Sequence, residues 1–306
     1  MKERSPENRG HNACREVSRA CHEWFRMTDL PTSVEALGAA PARQRADAYA
    51  RASFALTGAR TEPERLFETG GLRWRFPRST SPCEAVLVNT GGGVAGGDAY
   101  RVELELKEGA EVEASTTAAE KIYRSDGALA RIETRLTLAA GARLLWLPQE
   151  TLIFEGAALE RRLQVEMAGD ASLILVESLV FGRLASGESN IDARLRESWR
   201  IRRDGRLVFA DETRLDHAGA ALDRPAVGAG ARALATIVAA APGVEARLGD
   251  VRAALETASE GVEAGASAFD GLVVARLLSA SPARLREAVI ASILALGGRK
   301  PPRLWQ

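Results

Sequence analysis

A period of two runs through most of this chain, and it constrains the fold more than any other feature. Leu72, Trp74 and Phe76 alternate with Arg73 and Arg75, and Tyr100, Val102, Leu104 and Leu106 alternate with Arg101, Glu103 and Glu105. Ile132, Thr134, Leu136 and Leu138 repeat the pattern, as do Leu159, Arg161, Leu163, Val165 and Met167 with one lapse; Leu195, Glu197, Trp199 and Ile201 follow it more loosely. Successive side chains of a strand point to opposite faces, so each segment reads as a strand with one buried face. Many such segments in a row predict an all-β body.

Turn glycines at 109, 141, 169 and 205 each close one strand and open the next, at spacings of 32, 28 and 36 residues. The spacing is too uneven for a strict repeat. It suits stacked strand–turn–strand layers, or a set of ordinary hairpins in a sandwich. The last third changes character. Val244, Leu248, Val251 and Leu255 share one face of a helix over Val244–Ala258. LVVARLL within Gly265–Ala280 reads as a buried strand. Ser281 caps a second helix with Pro282 at its first position, and Gly297-Gly298 stops it. Asp216–Gly230 reads as a loop. The expected fold is therefore mainly β, a layered β-helix-like or sandwich-like body with a small C-terminal α+β part holding two helices. Residues 1–45 read as a flexible extension and 46–306 as a single β-rich domain.

Lys+Arg 41 balances Asp+Glu 41, so no general attraction to nucleic acid or an anionic membrane is expected. No apolar run is long enough to cross a membrane as a helix, and no apolar stretch of signal type opens the chain. With the sparse, odd set Cys14, Cys21 and Cys83, the expected compartment is the cytoplasm. His11, His22 and His217 are the only histidines. His11, Cys14, Cys21 and His22 lie together in the extension, as a metal-catching tail or by coincidence; their spacing matches no standard zinc pattern. Any metal handled by the folded part would have to meet mostly carboxylates, backbone and water.

Gly91–Gly96 matches G-x-G-x-x-G literally, which raises a glycine-loop nucleotide- or dinucleotide-binding enzyme as a rival reading. Such a fingerprint needs a helix next, to set its N-terminus against the pyrophosphate. DAYRVELELKEG, which follows, is a period-two strand. The glycines then read as a loop that adopts positive φ or lies very close to another backbone. Aligning the glycine-led segments puts Thr116, Pro148, Glu177 and Glu212 in one column, with Glu150 two residues past Pro148 and Asp211 beside Glu212. If the strands stack in register, carboxylates of different layers could face a common channel, where a divalent cation would exchange oxygen ligands readily. A scatter of surface acids is the plainer alternative.

The segments VLVNTGGGVAGGDAYRVELEL, TTAAEKIYRS, LPQETLIFEGA and ESWRIRRDGRLVFADETRLD resemble the UreD family of urease accessory proteins, called UreH in some organisms. The likeness runs from about Leu72 to the terminal PRLW. It implies a β-rich fold of β-helix-like layers, no catalytic activity of its own, and no tightly bound cofactor. It also implies partners: apo-urease, UreF, and through UreF the GTPase UreG, which together bring Ni²⁺ to the urease active site. A water-filled tunnel through the protein is the implied nickel route. By motif, its candidate residues here are Asp98 of GGD, Glu120 of AEKIYRS, Glu177 of LVES and Asp211 of FADE. A purely structural partner of urease is the remaining alternative.

Overall fold

Three successive tight turns of the body each hand a glycine amide to the next turn. Gly109 N–H donates to the Ala140 carbonyl (2.9 Å), Gly141 N–H to Asp170 Oδ1 (3.0 Å) and Gly169 N–H to Asp204 Oδ1 (2.9 Å). The turns are therefore stacked, and so are the strands that they join. These relations come from a computed structural model that describes residues 44–77, 82–183, 186–188, 191–258, 260–297 and 303–305. The extension to residue 43, with His11, Cys14, Cys21 and His22, lies outside the described residues.

The strands are β1 (Asp47–Thr57), β2 (Arg60–Thr69), β3 (Leu72–Arg75), β4 (Cys83–Asn89), β5 (Ala99–Leu106), β6 (Glu111–Thr116), β7 (Glu120–Ile122), β8 (Ala130–Leu138), β9 (Arg143–Leu147), β10 (Thr151–Ile153), β11 (Ala158–Met167), β12 (Ser172–Phe181), β13 (Arg194–Arg203), β14 (Arg206–Leu215), β15 (Ala233–Ala240), β16 (Val262–Phe269) and β17 (Leu272–Ser279). Three α-helices are described: α1 (Ala218–Asp223), α2 (Leu248–Thr257) and α3 (Pro282–Gly297). One sheet runs β14-β13-β11-β8-β5-β1-β2, and the other β16-β17-β15-β12-β9-β6-β4-β3.

In the middle of the chain these sheets supply two of the three walls of a coil. β5, β8, β11 and β13 stack in parallel in the first sheet, and β6, β9 and β12 stack in parallel in the second. The short strands β7 and β10 and the end of β12 form a third wall. Along it Val94, Ile122, Ile153 and Phe181 are register neighbours, all buried. Of the two expected arrangements, the layered one is found. In-register parallel stacking explains the period of two, because each coil's inward residues cover those of the next.

The larger apolar core fills the space between the sheets. A second lies on the far face of the larger sheet, where Val251 and Leu255 of α2 and Leu285, Val289, Ile293 and Leu296 of α3 pack on β15 and β17. The two predicted C-terminal helices are present, with the first opening as a 3-10 turn at Val244–Arg247. The segment expected to be a loop, 216–230, differs. Ala218 and Leu222 are buried against the core, and that anchoring lets α1 form in it.

Ile153 is fully buried in the third wall. Ile153→Ala should therefore cost about 2–5 kcal/mol in urea unfolding. Leu207→Ala, at a position 45% exposed, should change stability by no more than about 0.5 kcal/mol.

Candidate functional site

The glycine loop is built around Asn89, the last residue of β4. Its side-chain oxygen accepts the Gly91 N–H (2.9 Å), and its amide donates to both oxygens of Glu120 on β7 (3.1 Å each). The loop lies directly on the segment that carries Glu120. Val94 N–H donates to the Lys121 carbonyl (2.7 Å), and the Tyr123 hydroxyl donates to the Gly92 carbonyl (2.9 Å). A Cβ at Gly93 would collide with the Tyr123 ring and stand 2.8 Å from the Lys121 carbonyl; one at Gly96 would strike Ser125 and the Ala128 carbonyl. Close approach thus explains Gly93 and Gly96, and positive φ explains Gly92 and Gly97. β5 follows immediately, so the glycines lead into a strand and not into a helix.

Asp98 closes the loop. Its Oδ1 accepts the Ala46 N–H and its Oδ2 the Ala95 N–H, both at 2.8 Å, which ties the loop to the start of the first sheet. Between Asp98 and Glu120 lies Tyr100: burial, then the charges of Asp98 and Glu120, push its phenol up. Burial also pushes the Glu120 carboxyl above the usual range, against the opposing pull of the Asn89 amide and the Lys121 N–H.

The register leads inward from Glu120. Thr151 on β10 is its partner, so the two side chains share a face. The Thr151 hydroxyl accepts a bond from Arg161 Nη1 (3.0 Å). Arg161 belongs to the opposite sheet, on β11, with Glu197 of β13 beside it in register. Its Nη1 reaches across the gap to Glu177 Oε2 (2.6 Å), while Nε and Nη2 meet Glu197 Oε1 (2.7 and 2.5 Å). Trp146 Nε1 donates to Glu177 Oε1 (3.3 Å). All three charged residues are buried. Burial pushes the Glu177 carboxyl up; the Arg161 guanidinium opposes this and the Glu197 charge adds to it. One guanidinium thus serves two carboxyl groups.

A second register row leads outward from Glu177, since Thr151 itself pairs with Leu179. Glu177 pairs with Thr236 on β15, and Thr236 with Arg276 on β17. Arg276 Nη2 then bridges back to the first sheet, to Asp211 Oδ1 on β14 (2.8 Å). Arg276 is exposed, so this ion pair stands at the rim where the two sheets part. The structure brings Asp98 and Glu120 together beneath the glycine loop, sets Glu177 in the interior and Asp211 at the far edge. Sequence reasoning missed the residues between them, Thr151, Arg161, Glu197 and Thr236.

The expected column is found in part. Register offsets along β6, β9 and β12 do align Thr116, Pro148 and Glu177. Glu212 does not join them. Gly205 opens an antiparallel hairpin in the other sheet rather than another coil, and Glu212 points outward to Arg200. Glu150 is held by Arg286 Nη1 (2.7 and 2.8 Å), whose Nη2 donates to the Trp305 carbonyl, so it anchors the C-terminal turn. His217 Nδ1 meets Asp192 (2.8 Å) on the exposed surface, not its neighbour Asp216. Among the described residues, no group of three or more His, Cys, Asp and Glu converges as a metal cage.

Fold and site together define a layered β scaffold crossed by a polar seam that is carboxylate-rich and sealed in the middle by an ion trio. A family model described as UreD urease accessory protein matches residues 46–306. The urease accessory protein UreD of Beijerinckia indica is 49% identical over 265 residues, covering 86% of this chain and 98% of the relative. UreD 1 of Methylobacterium radiotolerans is 49% identical over 282 residues (90% and 96%), and UreD of Methylobacterium sp. strain 4-46 is 50% identical over 272 (87% and 96%). The chain belongs to the UreD family of urease accessory proteins.

Because Glu120 holds its proton to higher pH in the fold than in the unfolded chain, stability falls as pH rises from the ordinary glutamate range through the raised value, and is flat above it. Glu120→Gln should therefore melt above the wild type at about pH 8 and lose that advantage towards about pH 5. Parallel melting curves across pH would contradict the burial argument.

Proposed function

We propose that this chain serves urease maturation as a conduit for Ni²⁺, docked on apo-urease and joined by UreF and, through it, UreG. It contributes passage and positioning and no catalysis of its own. The protein then acts in the cytoplasm and binds nickel only in transit. The observation that carries this reading is the seam itself: Glu120 pairs in register with Thr151, the Arg161 guanidinium links Thr151 to Glu177, and Glu177 pairs with Thr236, from the glycine loop to the rim at Asp211. Carboxylate and hydroxyl oxygens with one or two ligands per step suit a cation that must leave again. A closed thiolate or imidazole cage would trap it.

A second reading, a purely structural urease partner, has two observations in its favour. Both oxygens of Asp98 are engaged by backbone amides, and Glu177 is already paired with Arg161. Glu177→Gln separates the two, because it removes a charge while keeping the shape. The conduit predicts unchanged co-purification with UreF and urease and a fall in the activation rate of at least about tenfold. Full activation with the complex intact would leave only the structural role.

A further inference from the structure

Arg161 lies between the two sheets, with only 5% of the residue exposed. Its guanidinium sits where Glu177, Glu197 and the Thr151 hydroxyl converge, with nitrogen–oxygen distances of 2.5–3.0 Å. The fit is uneven. Nε and Nη2 both press on the single oxygen Oε1 of Glu197, and Nη2 makes no well-directed hydrogen bond although it is buried. The group also carries two carboxylates for one cation. Carboxyl and hydroxyl oxygens are also the donors that a hard divalent ion takes, and here they converge on the side chain that fills their centre.

We propose that Arg161 is a resident counter-cation, which keeps Glu177 and Glu197 neutralised at rest and which a divalent cargo displaces in passing. The proposal rests on the conduit reading. Without a substitute cation, two buried carboxylates side by side would repel and open the core. With a fixed, tightly bound metal there, the seam would be plugged. A tethered guanidinium avoids both: it can swing aside on its flexible stem and return once the ion has moved on. Arg161 is a positioning residue in this scheme and no ligand.

The full-length chain can be tested with terbium ion alone as probe, since bound Tb³⁺ prefers oxygen and the Trp146 indole beside Glu177 would sensitise its emission. Arg161→Gln should bind terbium at least about tenfold more tightly than wild type, because a like charge has left the site. Adding Glu177→Gln should abolish the gain, and Ni²⁺ alone should compete the emission away. Arg161→Lys, whose ammonium is a point charge that cannot fork across both carboxylates, should fall between. If Arg161→Gln fails to fold, Arg161→Lys carries the test. Wild-type terbium affinity in whichever of these variants folds overturns the proposal, while the conduit stands if Glu177→Gln still blocks urease activation. A terbium gain with Glu177→Gln still activating urease removes the conduit and the proposal with it.

Discussion

Parallel strands stacked in register arrange their side chains in columns, and a charged residue placed in such a column cannot slide away from its neighbours. Everything distinctive about this interior follows from that constraint. Arg161 stands between Ile132 and Glu197 in one sheet, so one partner comes from the next coil and the other, Glu177, must come from across the gap. Buried ion groups are weak evidence for stability, because the desolvation they cost offsets much of their attraction. An apolar residue at Arg161 and at each glutamate would serve the core at least as well. That these charges join the Glu120–Thr151 pair to the Glu177–Thr236 pair argues for a use beyond holding the sheets together.

The seam has two unlike ends. Under the glycine loop, Asp98 is tied into the backbone amides of Ala46 and Ala95, whereas Glu120 takes the Asn89 side-chain amide and the Lys121 N–H among the described residues. At the rim, Asp211 and Arg276 close the gap between the sheets with one exposed ion pair. The loop and the TTAAEKIYRS segment occur together in the sequence for a plain steric reason. Gly93 and Gly96 leave out the side chains that Tyr123 and Ser125 would otherwise strike.

Much of this was legible in the residues. The period of two marked the strands, and the turn glycines aligned Thr116, Pro148 and Glu177 because three successive coils really do stack. The alignment failed at Glu212, since a glycine turn looks the same whether it continues a coil or reverses into a hairpin. β2 was not legible: it is an exposed edge strand with Pro63 at a register shift, and so carries no apolar alternation. The ion trio did leave a signal. The lapse in Leu159–Met167 is Arg161, and Glu197 loosens the next strand, both in the inward phase where an apolar residue belongs. Which residue across the gap they meet is set by the coil geometry and cannot be read from either strand alone.

Passage along the seam is the central claim, and blocking it sterically tests that claim without touching a charge. Thr236 lies between Glu177 and the rim and is only half-buried, so Thr236→Trp can fill the row there while every carboxylate stays in place. In a reconstituted activation of apo-urease with UreF, UreG and Ni²⁺, the account predicts intact assembly and activation slowed by at least about tenfold. Assembly and activation both at the wild-type level would contradict it.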